Sequence, residues 1–102
     1  MIAGSVPASA APSSVAIANG TGADIASVTA RRVGTTGWKS IGFAAPAGKA
    51  GNASIDESDC AFDLQVTLAD GKTVTYSGVN LCDVKLVTLR RNAAGVAWVD
   101  YD

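Results

Sequence analysis

Few residue types in this chain of 102 can do chemistry. The densest polar run is Asp56-Glu57-Ser58-Asp59. Its carboxylates, Asp56, Glu57 and Asp59, are the candidate oxygen ligands for a hard cation such as Ca²⁺. Asp63 or Asp83 would join them if the neighbouring cysteines bridged. The run lacks EF-hand spacing, so the plainer reading is a solvated turn leading into a strand. A two-carboxylate glycosidase would need an acid and a base across a cleft, yet Glu57 is the single Glu and no sequence feature locates a cleft. The chain has no His. That removes the imidazole base of Ser–His–Asp and Cys–His catalysis and His-ligated zinc or copper. The expectation is a protein that is not an enzyme and carries no cofactor. Contact chemistry is left to Arg31-Arg32, to Arg90-Arg91, and to Trp98 and Tyr101. Exposed charge that blunts edge-strand pairing is the simplest reading of the arginine pairs. One member of each pair should point outward, and the other should pair with a carboxylate or lie over an aromatic ring. Trp98, Tyr101, Arg90 and Arg91 are the candidate partner-contact residues, since an exposed aromatic near loops suits a protein or carbohydrate contact.

Cys60 and Cys82 are the two cysteines. They bracket a segment that reads as a β-hairpin, which brings its ends together. One structural bridge is the favoured reading, with two buried free thiols as the alternative. A zinc site needs more ligands than two cysteines without histidine, and no Cys-x-x-Cys redox motif is present. A bridge here closes a loop of about 23 residues and contributes roughly 3 kcal/mol in the chain-entropy description. It also implies an oxidising compartment.

Composition sets the frame for these residues. Hydrophobic residues make up 48% and charged residues 17% of the chain, too apolar and too weakly charged for disorder. A formal net charge of −1 gives no electrostatic reason to bind nucleic acid or an anionic membrane. No stretch approaches the ~20 apolar residues of a membrane span, so no membrane insertion is expected. Met1 to Ser14 is mostly Ala, Ser, Pro and Gly, with little to pack. Ala8-Ser9-Ala10 has the small-x-small form of a secretory cleavage site, without a basic region or apolar run before it. Residues 1–14 therefore read as a disordered tail, the remnant of an export signal or a plain Ala-rich tail. Residues 15–102 read as one domain of a periplasmic or secreted protein. The Gly-rich loops 19–22, 34–37 and 42–51 match no phosphate-cradling motif and read as adaptable surface loops.

The elements that must position these residues are strands. Val15–Ala18, Ile25–Val33, Trp38–Ile41, Ala53–Ile55, Phe62–Leu68, Thr73–Ser77, Val84–Arg91 and Val96–Tyr101 have strand composition, separated by turn residues. Phe62-Asp63-Leu64-Gln65-Val66-Thr67-Leu68 alternates strictly, with even positions apolar, as a half-buried strand does. Val74 and Tyr76 continue the even set on the return strand. Phe62, Tyr76 and Trp38 are the expected core aromatics. On the last strand Trp98 shares a face with Val96, and Ala97, Val99 and Tyr101 share the other.

Parity decides the turn between the central strands. Directly opposed residues of an antiparallel pair share a face. A two-residue Asp70-Gly71 loop would set Val66 against Thr75 and put the apolar sets on opposite faces. A three-residue loop, Ala69-Asp70-Gly71, sets Val66 against Val74 and Leu64 against Tyr76. It places Gly71 where a type I turn with a G1 bulge needs a left-handed residue. That register leaves Cys60 opposite Asn80, two residues short of Cys82. A bulge or bend near Gly78, where the apolar phase shifts to Val79 and Leu81, would close the gap.

Seven to eight short strands with no convincing helix predict an all-β fold, a small antiparallel β-sandwich of immunoglobulin-like architecture with one disulfide. The residues Asn19-Gly20-Thr21-Gly22, Trp38, Cys60-Ala61-Phe62-Asp63-Leu64, Asp70-Gly71 and Gly78-Val79-Asn80-Leu81-Cys82 together resemble a group of small exported bacterial β-domain proteins that are uncharacterised. The resemblance spans roughly residues 15 to 89, and the segment from Arg90 to Asp102 departs from it as an added hairpin strand. It implies export and a disulfide and carries no activity. The expected function is a non-enzymatic binding module that contacts a protein or cell-surface partner through loops or an edge strand. The alternatives are an assembly protein that oligomerises by strand pairing, from monomer or weak homo-oligomer, and a weak Ca²⁺-binding module.

Overall fold

A computed structural model describes residues 13–55, 59–82 and 84–102. Asp56, Glu57 and Asp83 of the candidate cation site lie outside the described residues, as do residues 1–12 of the expected tail. Eight strands follow in order: β1 (Ser13–Gly20), β2 (Ile25–Arg32), β3 (Lys39–Ser40), β4 (Ala50–Ile55), β5 (Ala61–Leu68), β6 (Thr73–Asn80), β7 (Val87–Arg91) and β8 (Ala97–Tyr101). They form two four-stranded sheets, ordered β4-β1-β7-β8 and β3-β2-β5-β6. The protein is an all-β sandwich. Of the six strand pairings, β1 with β7 is parallel and the rest are antiparallel. The parallel pair departs from the purely antiparallel pattern because β4 already covers one side of β1, and the chain then runs through β5 and β6 of the second sheet before β7 returns on the other side of β1. β1 starts at Ser13, two residues before the expected strand, where Ser13 and Ser14 pair with Ile55 and Ser54.

Alternation builds the core. Phe62, Leu64, Val66 and Leu68 of β5 and Tyr76 and Val79 of β6 face Val15, Ile17, Val87 and Leu89 of the opposite sheet, all buried. Burial on this scale is the main favourable term in holding two sheets together.

The three-residue turn is present. Val66 opposes Val74 and Leu64 opposes Tyr76. Leu68 N–H donates to the Lys72 carbonyl at 2.8 Å, Gly71 N–H donates to the Leu68 carbonyl at 2.9 Å, and Gly71 has φ +88°. Beyond Tyr76 the register shifts, so that Phe62 opposes Val79. Three residues of β6 advance against two of β5, and the extra one lies at Gly78, with φ +64°. The shift sets Cys60 opposite Leu81, whose N–H donates to the Cys60 carbonyl at 2.9 Å. Cys82 then reaches Cys60, and the two form a disulfide with Cα atoms 5.1 Å apart.

Two polar residues are built into this frame. Asn19 ends β1 fully buried. Its side-chain NH₂ donates to the Ala23 and Ala45 carbonyls at 2.7 and 3.0 Å, and its Oδ1 accepts from Thr21 N–H and Oγ1–H at 3.1 and 2.6 Å. The Asn-Gly-Thr-Gly end is thus a buried plug that joins the β1–β2 loop to the loop before β4. Asp63 is the second. It falls in the polar, odd-numbered set of β5, yet it is buried. Its Oδ1 accepts the Gly78 N–H at 3.0 Å and its Oδ2 accepts Arg31 Nε–H at 3.1 Å. Those bonds hold its carboxyl below the ordinary carboxylate range against the opposing effect of burial, with the Gly78 bond the largest cause.

Trp38 is not a core residue, contrary to expectation. It is half-buried beside the two-residue edge strand β3, and its ring takes the Arg31 guanidinium 4.4 Å from the centroid. An aromatic ring at a sheet edge has only one apolar side to cover it, and a stacked guanidinium covers the other.

Candidate functional site

The residues expected to meet a partner converge on the β7–β8 hairpin. The cross-strand register pairs Arg90 with Trp98, Leu89 with Val99 and Arg91 with Ala97. Alternation turns Leu89, Arg91, Ala97 and Val99 toward the second sheet, where Ala97 and Val99 pack on the core. Arg90, Trp98 and Asp100 lie on the outer face. Arg90 Nε–H donates to Asp100 Oδ2 at 2.7 Å, with both side chains about half exposed. Trp98 is 43% exposed, and Val96 and Tyr101 are 57% and 47% exposed. These three are most of the large hydrophobic exposure among the described residues, gathered on one hairpin.

Tyr101 stands on the inner face, at the rim. Its hydroxyl oxygen accepts the Asn80 N–H at 2.9 Å and so ties β8 to β6 across the open side of the sandwich. Tyr76 makes a second tie. Its ring is buried, its hydroxyl donates to the Arg90 carbonyl at 3.1 Å, and burial raises its pKa, with Arg91 opposing. A shallow groove runs between these two strands, lined by Thr75, Tyr76, Val79, Ala97, Trp98 and Val99. Arg91 borders its continuation toward the Asn92–Gly95 turn.

β8 ends its sheet. Asn92 N–H donates to the Val96 carbonyl at 3.0 Å, and Asp102 N–H donates to the Leu86 carbonyl at 2.9 Å, so the even-numbered residues of β8 hydrogen-bond to β7. The peptide groups of Ala97, Val99 and Tyr101 therefore point away from β7 along the free edge. Sequence alone placed the side chains of this strand but not its position in the sheet, which depends on the parallel return of β7 beside β1.

Of the candidate cation ligands, Asp59 is described. Its Oδ1 accepts the Cys60 N–H at 2.8 Å, and its Oδ2 lies 3.9 Å from Arg32. Asp63, named as a further ligand, is already engaged by Gly78 and Arg31. Among the described residues no group of three or more metal-ligating side chains forms. On the opposite side of the sandwich a cleft of about 400 Å³ has Ile41, Ile55 and Phe62 at its floor and Arg31, Arg32 and Lys39 at its rim. Arg31 is committed to Asp63 and Trp38, and Lys39 has a partner of its own.

No known family model matches the chain, and no curated protein matches it in sequence. Among solved structures it is similar to the NMR structure of a protein from Eubacterium rectale, with a TM-score of 0.63 and 13% identity. The match covers 95% of this chain and 94% of that one. At that identity the likeness concerns the fold.

Proposed function

We propose that the protein is a non-enzymatic binding module that takes an extended segment of a protein or cell-surface partner onto the free edge of β8. The observation that carries this reading is the row of outward peptide groups at Ala97, Val99 and Tyr101, flanked by exposed Trp98 and Val96. Main-chain hydrogen bonds to a sheet edge supply affinity, and neighbouring side chains supply selectivity. The lack of any His supports contact over catalysis. The Cys60–Cys82 disulfide is compatible with an oxidising extracellular compartment. Together with the resemblance to exported bacterial proteins, it supports a periplasmic or secreted location.

Display selection of random heptapeptides tests the reading. Val99→Pro removes one outward N–H and leaves the bonds to β7 in place. Peptides with alternating, strand-forming sequences are expected to enrich on the native protein and to lose binding to Val99→Pro, with near-native circular dichroism confirming that the variant folds. No enrichment, or equal binding to the folded variant, refutes edge-strand capture.

A further inference from the structure

We propose that the segment β8 accepts is β8 of a second copy of this chain, in an antiparallel register centred on Val99; the proposal rests on the edge-strand reading above. The strand is complementary to itself in that register. The outward peptide groups of Ala97, Val99 and Tyr101 meet those of the partner's Tyr101, Val99 and Ala97, so each outward N–H finds a carbonyl and each carbonyl an N–H. No other registration about a two-fold axis satisfies all three positions at once. A shift of the centre by one residue keeps the odd-numbered peptide groups outward but pairs only two of the three: centred on Trp98 it sets Tyr101 opposite Gly95 in the turn, and centred on Asp100 it leaves Ala97 without an opposite strand residue.

Side chains agree with the backbone. On the outer face Trp98 lies opposite the partner's Asp100, at a closely spaced non-hydrogen-bonded position. The two tryptophans lie diagonally across the axis, within reach of each other. Asp100 is paired within its own chain by Arg90 at 2.7 Å, yet its side chain is half exposed, so it meets Trp98 without an unpartnered charge and still responds to a charge placed opposite it. On the inner face Val99 meets the partner's Val99, and Ala97 meets the partner's Tyr101. The small Ala97 leaves room for the larger ring beside the groove that Ala97 already lines. The interface is isologous, as a closed dimer requires. It joins the two outer sheets into one of eight strands and removes the exposed edge that such a strand otherwise presents.

The test uses two substitutions at one exposed position, measured by sedimentation equilibrium. Trp98→Glu places a carboxylate opposite the partner's Asp100 twice per dimer, whereas Trp98→Lys places an ammonium there. Like charges directly opposed oppose pairing and opposite charges favour it, so Trp98→Glu is expected to dimerise at least roughly tenfold more weakly than Trp98→Lys. A mixed-label NOE between Trp98 Hα and the partner's Asp100 Hα fixes the register directly. A native protein that stays monomeric at high micromolar concentration overturns the proposal. So does a dimer that fails to distinguish Trp98→Glu from Trp98→Lys. In either case, continued enrichment of strand peptides on β8 leaves the edge-strand reading standing. Loss of that enrichment as well removes both.

Discussion

Replacing Asp63 with Ala should cost more than any surface carboxylate, because this one side chain holds a β-bulge, an ion pair and the approach to the disulfide. Its Oδ1 accepts the Gly78 N–H at 3.0 Å and its Oδ2 accepts Arg31 Nε–H at 3.1 Å. Hydrogen bonds to charged groups contribute about 1.5–3 kcal/mol each, and an orphaned partner left behind adds a desolvation cost. The Asp63 side chain is 13% exposed and Arg31 33%, and Gly78 is itself exposed, so water reaches both partners in part once the carboxylate is gone. A loss of about 3 kcal/mol follows for Asp63→Ala, allowing for partial rehydration of both. For a domain of this size each kcal/mol moves the melting temperature by about 4–8 °C, so the midpoint should drop by roughly 15 °C. Asp63→Asn keeps an acceptor for Gly78 and loses the charge, and should fall between the two. Differential scanning calorimetry of the oxidised proteins reads the first effect. The second is chemical: without the bulge Cys60 faces Asn80, so the reduced Asp63→Ala chain should re-form the bridge more slowly in a glutathione buffer. A midpoint within about 2 °C of native, with unchanged oxidation, refutes the assignment of the bulge to Asp63.

The same carboxylate sets an acid limit. Its folded pKa lies below the unfolded one, so its contribution is present above about pH 4 and is lost as pH falls through the folded value, a decline that Asp63→Asn should lack in chemical denaturation. Tyr76 sets the alkaline counterpart. Its folded pKa is raised, so its contribution is full below about pH 10 and declines as pH climbs toward the folded value. Tyr76→Phe should lose about 1 kcal/mol at neutral pH from the bond to Arg90 and flatten that alkaline decline. Asn19→Ala breaks four hydrogen bonds, three of them buried, while the Ala23 and Ala45 carbonyls keep Thr21 Oγ1–H and Ile25 N–H as donors at 3.0 and 2.9 Å, so a loss of about 3 kcal/mol is expected in urea unfolding. A loss under about 1 kcal/mol would show that the plug is not structural.

Where a rule is local, the sequence was a sufficient guide. The turn at Gly71 followed from the parity of Val66 and Val74, and the bulge at Gly78 from the phase change between Tyr76 and Val79, because side-chain period 2 leaves no other way to keep both apolar sets inside. The disulfide was expected from two cysteines that bracket a hairpin, and the bulge removes the two-residue gap that the turn register alone left. Asp63 was not legible, since a buried carboxylate in an alternating strand looks the same as an exposed one until Arg31 is known to lie on the neighbouring strand. Asn19 read as a turn residue, and its four bonds reach loops that no local pattern connects. Trp38 was misplaced because ring size argues for the core, while β3 is too short to carry the ring there. The candidate contact residues Arg90, Arg91, Trp98 and Tyr101 could be named by type, but the place of their hairpin at the sheet edge depends on β7 returning parallel to β1, a long-range pairing without a sequence signature.

The distribution of polar groups then bears on function. Among the described residues Asn19, Thr21 and Asp63 are the buried polar ones, and each is committed to backbone, to another of the three or to a neighbouring charge. Buried groups in satisfied networks hold shape and cannot turn to a ligand without breaking what they hold. Asp59 caps the Cys60 N–H, and Arg90 and Asp100 bind each other at the surface. These described side chains are therefore spent on the frame. What the frame offers outward on β8 is main chain, three peptide groups in a row, with indole and aliphatic surface beside them. Recognition by peptide groups needs neither a nucleophile nor a metal, and it works best on an edge whose twist and position are fixed. The Asn80–Tyr101 and Tyr76–Arg90 ties fix β8 against the second sheet. A strand so anchored would lose little freedom when another strand joined it, which is the preorganisation that the proposed edge pairing requires.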